Sequence, residues 1–226
     1  MGHREANYAS RSRLKRFSHG ARFLGALRLL DLDETDVVLD YGGGDGHLIS
    51  LAFEVQPKAS YSVFEPATLE EARNNLESLP GVGLYSATAA MAPAMFSKIC
   101  CLEVLEHVTP INTIPSVLRD IHRLLRPNGI LIVSMPIEFG PISLFKNIFR
   151  VIHGTPFPGT NLKTILLSAI GLPSKVPRAE GHMGFDYRAI LKLLLQAGFR
   201  LEETRFTPFV VAGPLCNSQV LYRLRS

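Results

Sequence analysis

Short apolar segments alternate with segments of helical periodicity along most of this 226-residue chain. The short segments are rich in β-branched and other apolar residues, which predicts buried β-strands. The predicted strands span residues 36–41, 59–64, 82–86, 130–134, 199–206 and 218–224, and one more begins at residue 96. Between them, apolar residues recur at helical spacing, which predicts helices that begin near residues 47, 68, 114 and 186. This alternation indicates an α/β fold.

Two regions depart from the alternation, one at the beginning of the chain and one after the fifth strand. Residues 1–30 form the first, which we interpret as an N-terminal helical cap because Leu24 and other apolar residues recur at roughly helical spacing. Residues 137–181 form the second, with two apolar stretches at about 141–152 and 161–170 that predict short helices. Ligands of α/β sheets bind above the carboxyl ends of the strands, so we expect this insertion to form a helical lid. The alternative is that it only adds to the core.

The length of the chain and its ordinary apolar content, 46% of residues, fit a single domain over residues 1–226. No uninterrupted apolar segment approaches the roughly 20 residues of a membrane span, and the N-terminus is polar, so we expect a cytoplasmic protein. The three cysteines, Cys100, Cys101 and Cys216, make no disulfide framework. Cys100 and Cys101 are adjacent in a predicted strand, so they should point to opposite faces and belong to the core.

Basic residues are concentrated near the N-terminus, although the net charge of the whole chain is only +4. Such a segment suits contact with a membrane surface, a phosphorylated substrate or nucleic acid, or it forms a solvated basic helix over the domain. Four phenylalanines of the insertion favour an apolar ligand or a membrane surface: Phe139, Phe145, Phe149 and Phe157. Peripheral membrane contact is therefore a hypothesis, and the sequence leaves the oligomeric state open.

A glycine-rich turn separates the first predicted strand from the helix that follows it, in the sequence D-V-V-L-D-Y-G-G-G-D-G-H-L-I-S. Glycine lets the backbone approach a ligand closely, and the helix N-terminus offers free N–H groups. A dinucleotide fingerprint, G-x-G-x-x-G, needs a third glycine where this chain has His47. The pattern found here is Asp40-x-Gly42-x-Gly44-x-Gly46.

This D-x-G-x-G-x-G pattern resembles the first motif of the class I S-adenosylmethionine (SAM) dependent methyltransferases. Three further stretches are similar to the same family: Glu65 at the end of the second strand, F-S-K-I-C-C-L-E-V-L-E-H-V from Phe96, and L-L-R-P-N-G-I-L-I-V-S-M-P before the insertion. The matches cover residues 36–136, with a weaker stretch at 182–199. The resemblance implies a Rossmann-like, seven-stranded methyltransferase sheet with an antiparallel last strand, and SAM as the cofactor.

The resemblance also implies which residues bind the cofactor. Asp40 and the motif glycines would hold its methionine end, and the carboxylate of Glu65 would accept hydrogen bonds from both ribose hydroxyls. Many relatives have an acid after the third strand that bonds the adenine amino group, whereas this chain has Ser86. Two neighbours at strand ends, Pro66 and Leu102, complete the predicted cofactor site.

A second constellation, Glu103-x-x-Glu106-His107, follows the fourth strand. It resembles two metal-dependent groups, the O-methyltransferases of ubiquinone biosynthesis and the small-RNA ribose 2′-O-methyltransferases, and His182 would supply the later histidine of the second group. Two carboxylates and one or two imidazoles suit Mg²⁺, Mn²⁺ or Zn²⁺, which would lower the pKa of an acceptor hydroxyl. In the alternative no metal binds: a glutamate caps the following helix, and His107 lines the acceptor pocket or acts as the base.

The first functional hypothesis is an enzyme that transfers a methyl group from SAM to an oxygen or nitrogen of a small molecule, of lipid-like or sugar-like character. Its catalytic residues would be Glu103, Glu106 and His107. The second hypothesis is metal-assisted ribose 2′-O-methylation of RNA. We find no aromatic and basic platform of the kind that stacks bases, so we do not expect a nucleic-acid partner. The third is a SAM-binding protein without turnover.

Overall fold

A computed structural model of the chain describes residues 13–152, 160–171, 175–176, 185–209 and 213–226. The strands are β1 (Val37–Tyr41), β2 (Ser60–Phe64), β3 (Gly83–Tyr85), β4 (Phe96–Leu102), β5 (Leu125–Pro136), β6 (Arg200–Thr207) and β7 (Gln219–Arg225). The helices are α1 (Arg13–Leu30), α2 (His47–Val55), α3 (Leu69–Leu76), α4 (Ile114–Leu124), α5 (Pro141–Ile152), α6 (Leu162–Ala169) and α7 (Tyr187–Gln196).

All seven strands belong to one sheet, in the order β3-β2-β1-β4-β5-β7-β6. Strands β1 to β5 pair in parallel, and β7 runs antiparallel to both of its neighbours. The prediction of a Rossmann-like sheet with an antiparallel last strand is therefore confirmed. The strand order reverses between β1 and β4, so the chain leaves their carboxyl ends in opposite directions. Such a switch point opens the crevice where α/β sheets bind ligands.

Helices cover both faces of the sheet, and the two adjacent cysteines of β4 show how the faces differ. Cys101 packs in the cluster that contains side chains of α4 and α7, whereas Cys100 packs with side chains of α1 and α2. The prediction that these cysteines point to opposite faces is confirmed. Burial raises the pKa of both thiols well above the ordinary value, which disfavours the reactive thiolate.

Helix α1 packs on the sheet through predicted apolar residues such as Leu30, but it differs from the prediction at Leu24. Leu24 is 60% exposed, whereas Arg22 and Ala26 are buried. Small residues explain the difference, because a Cβ on Gly25 would lie only 3.3 Å from the side chain of Thr207. The helix therefore approaches the sheet along its glycine and alanine, and this contact directs Arg22 inward.

Helices α5 and α6 form a helical hairpin directly after β5, close to the limits predicted for the two short helices of the insertion. Helix α6 begins with a capping box, in which the side chains of Asn161 and Thr164 each bond the other's backbone N–H. Phe157 and several other parts of the predicted insertion lie outside the described residues. The role of a lid therefore stays a prediction. Within the described part of the chain, no helix is both long and apolar enough to cross a membrane.

Candidate active site

The glycine turn follows β1 at the carboxyl edge of the sheet and is bonded to the end of β2. The N–H groups of Gly42 and Gly43 donate to the carbonyl of Phe64 over 2.8 and 3.1 Å. Gly42, Gly44 and Gly46 have φ values of 75°, 54° and 76°, which is left-handed backbone that glycine adopts readily. Helix α2 begins directly after Gly46, so the N–H groups of its first turn, which have no partner within the helix, lie at the turn.

The space around the turn differs from one glycine to the next. A Cβ on Gly42 would lie 2.6 Å from Val104, and a Cβ on Gly46 would lie 2.6 Å from Leu76. These two glycines are needed for close packing. A Cβ on Gly44 would meet no described atom within 4 Å. The backbone at Gly44 is therefore the part of the turn that a ligand can approach.

Glu65, at the end of β2, lies beside this open part of the turn. Its Oε2 accepts a hydrogen bond from the N–H of Gly44 over 3.0 Å, and its Oε1 accepts one from the N–H of Ala67 over 2.9 Å. The residue is only 9% exposed. The parallel pairing of β1 and β2 thus brings the acid and the glycine turn together, as the sequence resemblance implied. Ribose binding by Glu65 stays a prediction.

Asp40 lies inside the sheet just before the turn and is only 3% exposed. Burial raises its pKa from 3.8 to about 7, against the opposing charge of Arg22, and the negative charges of Asp45 and Glu65 raise it further. A cation bound beside the turn would stabilise the ionised form. The methionine end of SAM contains such a cation, its amino group, and its ribose offers hydroxyl donors to Glu65. The residues present therefore fit the predicted cofactor.

Glu103 lies directly after β4 and joins three elements. Its backbone has a φ of 54°, and its N–H donates to Oγ of Ser134 over 3.1 Å. Its carboxylate accepts hydrogen bonds from Arg22 of α1 and from Gln219 of β7. Arg22 also lowers the pKa of Asp40. One buried guanidinium therefore interacts with an acid near the end of β1 and with another directly after β4.

The sequence did not single out Arg22 or Gln219 as members of the site. Arg22 was only one of several N-terminal bases, although it lies one helical turn from Gly25 and Ala26 on the buried side of α1. The position of a charged residue on the same side of the helix as small residues could have indicated that Arg22 is buried. No local pattern around Gln219 indicates its contact with Glu103.

Glu106 and His107 are adjacent in sequence but differ in exposure. Glu106 is 3% exposed and its charge raises the pKa of Cys101, so its carboxylate lies toward the core. His107 is exposed beyond the end of β4. His107 is therefore accessible from solvent, whereas the side chain of Glu106 is not.

The predicted metal set is not assembled among the residues that the structure describes. No three or more of their His, Cys, Asp and Glu side chains are grouped so that they could hold a metal ion. Glu103 instead contacts Arg22. The positive charge of the guanidinium would repel a metal ion bound to the same carboxylate. His182, the other candidate ligand, lies outside the described residues.

The remaining predicted cofactor residues lie along the same edge of the sheet. Pro66 and Ser86 are exposed and come just after β2 and β3, and Leu102 is the last residue of β4 and is half-buried. Because the carboxyl ends of parallel strands meet at one edge, these positions border the glycine turn. Their contacts with the cofactor stay predictions.

A family model described as a methyltransferase domain matches residues 11–204 of the chain. The match covers most of the sequence, and the topology of the sheet agrees with it. The chain belongs to this family and is a class I SAM-dependent methyltransferase, with SAM as its cofactor.

Solved structures share the fold at low sequence identity. The 1,6-didemethyltoxoflavin-N1-methyltransferase of Burkholderia thailandensis, crystallised with 1,6-didemethyltoxoflavin and S-adenosylhomocysteine, is 18% identical with a TM-score of 0.62, over 97% of this chain and 88% of that chain. The N-methyltransferase NodS of Bradyrhizobium japonicum is 13% identical with a TM-score of 0.60, over 93% and 97%. The [4+2]-cyclase SpnF is 14% identical with a TM-score of 0.64, over 96% and 84%. A comparison with curated protein sequences finds no significant match.

We predict that Gly42→Ala weakens binding of S-adenosylhomocysteine, the demethylated product, by at least about tenfold. The added Cβ would lie 2.6 Å from Val104, at a φ of 75°. Gly81→Ala is the matched control, since its φ is 78° but its Cβ would meet no described atom within 4 Å. Equilibrium dialysis measures both affinities. Equal affinities of the two variants would contradict the packing role of Gly42.

We predict that Asp40 makes the free energy of unfolding depend on pH. The pKa of Asp40 is about 7 in the folded chain, above its ordinary value of 3.8, so the folded chain holds the proton more tightly. The resulting stabilisation is fully present below pH 3.8 and is lost as the pH rises through about 7. The side chain of Asp40→Asn cannot ionise. The free energy of unfolding of the wild type should therefore fall by up to about 4 kcal/mol relative to that of this variant as the pH rises over this range.

Urea unfolding at a series of pH values measures this difference. Glu34→Gln, at an exposed position, is the control, and its free energy of unfolding should follow the wild type at every pH. A constant difference between the wild type and Asp40→Asn would contradict the prediction.

Proposed function

We propose that this methyltransferase transfers its methyl group to an oxygen or nitrogen of a small-molecule acceptor, bound at the carboxyl edge of the sheet. The observation that supports this proposal most directly is the arrangement of the glycine turn, Glu65 and the exposed His107 along that edge. Asp40 and the turn would bind the methionine end of SAM, and Glu65 would bind the ribose. Ser86, Pro66 and Leu102 would line the remainder of the cofactor site.

Bound SAM supplies a sulfonium methyl group that is displaced in line by the acceptor atom. The protein must position the acceptor and take up its proton. His107 is the proposed base, because a neutral imidazole accepts a proton near physiological pH and this one is open to solvent. Glu103 and Glu106 position the segment, the first through Arg22 and Gln219 and the second from the core.

We infer that the acceptor has an apolar part, as in a lipid-like molecule or a lipid-linked sugar. The helical hairpin follows β5 and therefore stands at the same edge as His107, where it would act as the lid. Phe145 and Phe149 are exposed on this hairpin. Crystals of one methyltransferase with the same fold contain a small molecule, 1,6-didemethyltoxoflavin, which agrees with an acceptor of modest size.

We place the reaction in the cytoplasm. Cys100, Cys101 and Cys216 are free thiols, which suits a reducing compartment. Metal-assisted ribose methylation is the less favoured proposal, because Glu103 contacts Arg22 and Gln219.

We predict that His107→Ala lowers turnover by at least about a hundredfold, since general base catalysis is lost. Its affinity for S-adenosylhomocysteine should stay within about twofold of the wild type, because His107 is proposed to contact the acceptor and not the cofactor. Transfer of radiolabelled methyl groups from SAM to a panel of alkylphenols, amines and alkyl glycosides measures turnover.

His122→Ala is the control for this experiment. His122 lies near the end of α4, at the opposite edge of the sheet. The centroid of its ring is 5.3 Å from that of the Phe199 ring. This variant should keep its turnover. Equal losses of turnover and product affinity in His107→Ala would place His107 in the cofactor site or the core and overturn its proposed role.

A further inference from the structure

The helical hairpin buries polar side chains and exposes apolar ones. Among the side chains that the structure describes in α5 and α6, the buried ones are all small or polar: Ser143, Asn147, Thr164 and Ser168. Its exposed apolar residues are Phe145 at 69%, Ile148 at 45%, Phe149 at 48%, Val151 at 50%, Ile152 at 73%, Leu162 at 72%, Leu166 at 51% and Ile170 at 67%. A helix packed on a protein core and surrounded by water shows the opposite distribution.

The apolar residues of α5 form one continuous stripe. Phe145, Ile148, Phe149 and Ile152 are spaced by three, one and three residues, which places them on one side of the helix. Every exposed residue of α5 whose side chain is described is apolar. We call this stripe, together with Leu166 of α6, the outer face of the hairpin. An apolar area of this kind marks an interaction site on the protein surface.

Polar contacts hold the hairpin with this face outward. The N–H of Gly140 donates to the carbonyl of Ser168 over 2.8 Å. Lys146 and Arg150 contact the buried carboxylate of Glu138 over 3.0 and 3.1 Å. Burial alone would raise the pKa of Glu138, but the charges of Lys146 and Arg150 lower it below its ordinary value. The hairpin is therefore fixed to the end of β5 through its polar side.

The charges near the outer face have one sign. Residues 137–171 contain one acid, one histidine and three lysine or arginine bases. The acid is Glu138, which is buried and paired with two of the bases, and the third base is Lys163, exposed on α6. An apolar stripe beside an exposed lysine, in a segment whose one acid is buried and paired, suits an anionic lipid surface. Two copies of the same face would bring like charges together without an acid to pair them.

We propose that the outer face of the hairpin binds the surface of a bilayer that contains anionic phospholipids. The stripe of α5 enters the boundary between head groups and acyl chains, and Lys163 contacts the lipid phosphates. Because the hairpin follows β5, the bilayer then lies next to the carboxyl edge of the sheet. An acceptor with a lipid part can reach that edge without leaving the membrane. Membrane binding rests on the hairpin alone and does not depend on the proposed chemistry.

Co-sedimentation with vesicles tests the proposal, with phosphatidylcholine alone or with about 30% phosphatidylglycerol. The wild type should bind the anionic vesicles, and binding should weaken at least about tenfold in Phe145→Ser/Phe149→Ser. The matched control is Val55→Ser/Leu195→Ser, which removes two exposed apolar side chains, 62% and 46% exposed, at the opposite edge of the sheet. The control should bind as the wild type does.

Any of three results would overturn the proposal: no binding of the wild type to anionic vesicles, equal binding of the wild type and Phe145→Ser/Phe149→Ser, or equal binding of the wild type to anionic and neutral vesicles. Binding of S-adenosylhomocysteine by the double variant shows that it is folded, and it separates failure of this proposal from failure of the methyltransferase site. Light scattering that shows a wild-type dimer and a monomeric double variant would assign the face to contact between copies.

A second measurement does not require loss of binding. The chain contains no tryptophan, so Phe145→Trp introduces a single tryptophan on the outer face, which can be excited selectively beside the tyrosines of the chain. Its emission should shift to shorter wavelength with anionic vesicles and be quenched by brominated lipids. Val55→Trp should show neither change. Equal behaviour of the two variants would overturn the proposal.

Discussion

The carboxyl edge of the sheet in this methyltransferase depends on burying two acids, Asp40 and Glu65, beside one glycine turn. The hydrogen bond from Gly44 to Glu65, 3.0 Å long, requires β1 and β2 to end side by side, and it holds that carboxylate near Asp40. Buried acids that lie together are unfavourable unless a cation is close. Arg22 supplies that cation from α1, so the N-terminal helix is part of the site's electrostatics.

Arg22 also connects the glycine turn with the segment that follows β4. It contacts Glu103 after β4, which Gln219 of β7 contacts as well. A change in the position of α1 would therefore alter the ionisation of Asp40 and the segment that leads to His107. The same contact explains why Glu103, Glu106 and His107 form no metal cluster among the residues that the structure describes. The carboxylate of Glu103 contacts Arg22, and that of Glu106 lies toward the core.

The sequence predicted the features that depend on local patterns. The glycine turn, the sheet and the position of Glu65 follow from apolar spacing and from a motif confined to short stretches. The contact of Arg22 with Glu103 could not be predicted, because it joins residues 81 positions apart. It depends on which side of α1 meets the sheet. For the hairpin, periodicity predicted two helices correctly. The expectation that its phenylalanines lie outside the core holds for Phe145 and Phe149, whereas Phe139 is buried. The difference depends on the polar attachment through Glu138, which no local pattern predicts.

The central claim is that the glycine turn and Glu65 form the binding site for SAM. Calorimetric titration of S-adenosylhomocysteine into metal-stripped protein tests it most directly. One product molecule should bind each wild-type chain with micromolar affinity. Glu65→Ala should bind at least about tenfold more weakly, because charge-assisted hydrogen bonds worth about 1.5–3 kcal/mol are lost. Absence of binding in the wild type, or unchanged affinity in Glu65→Ala, would contradict this assignment.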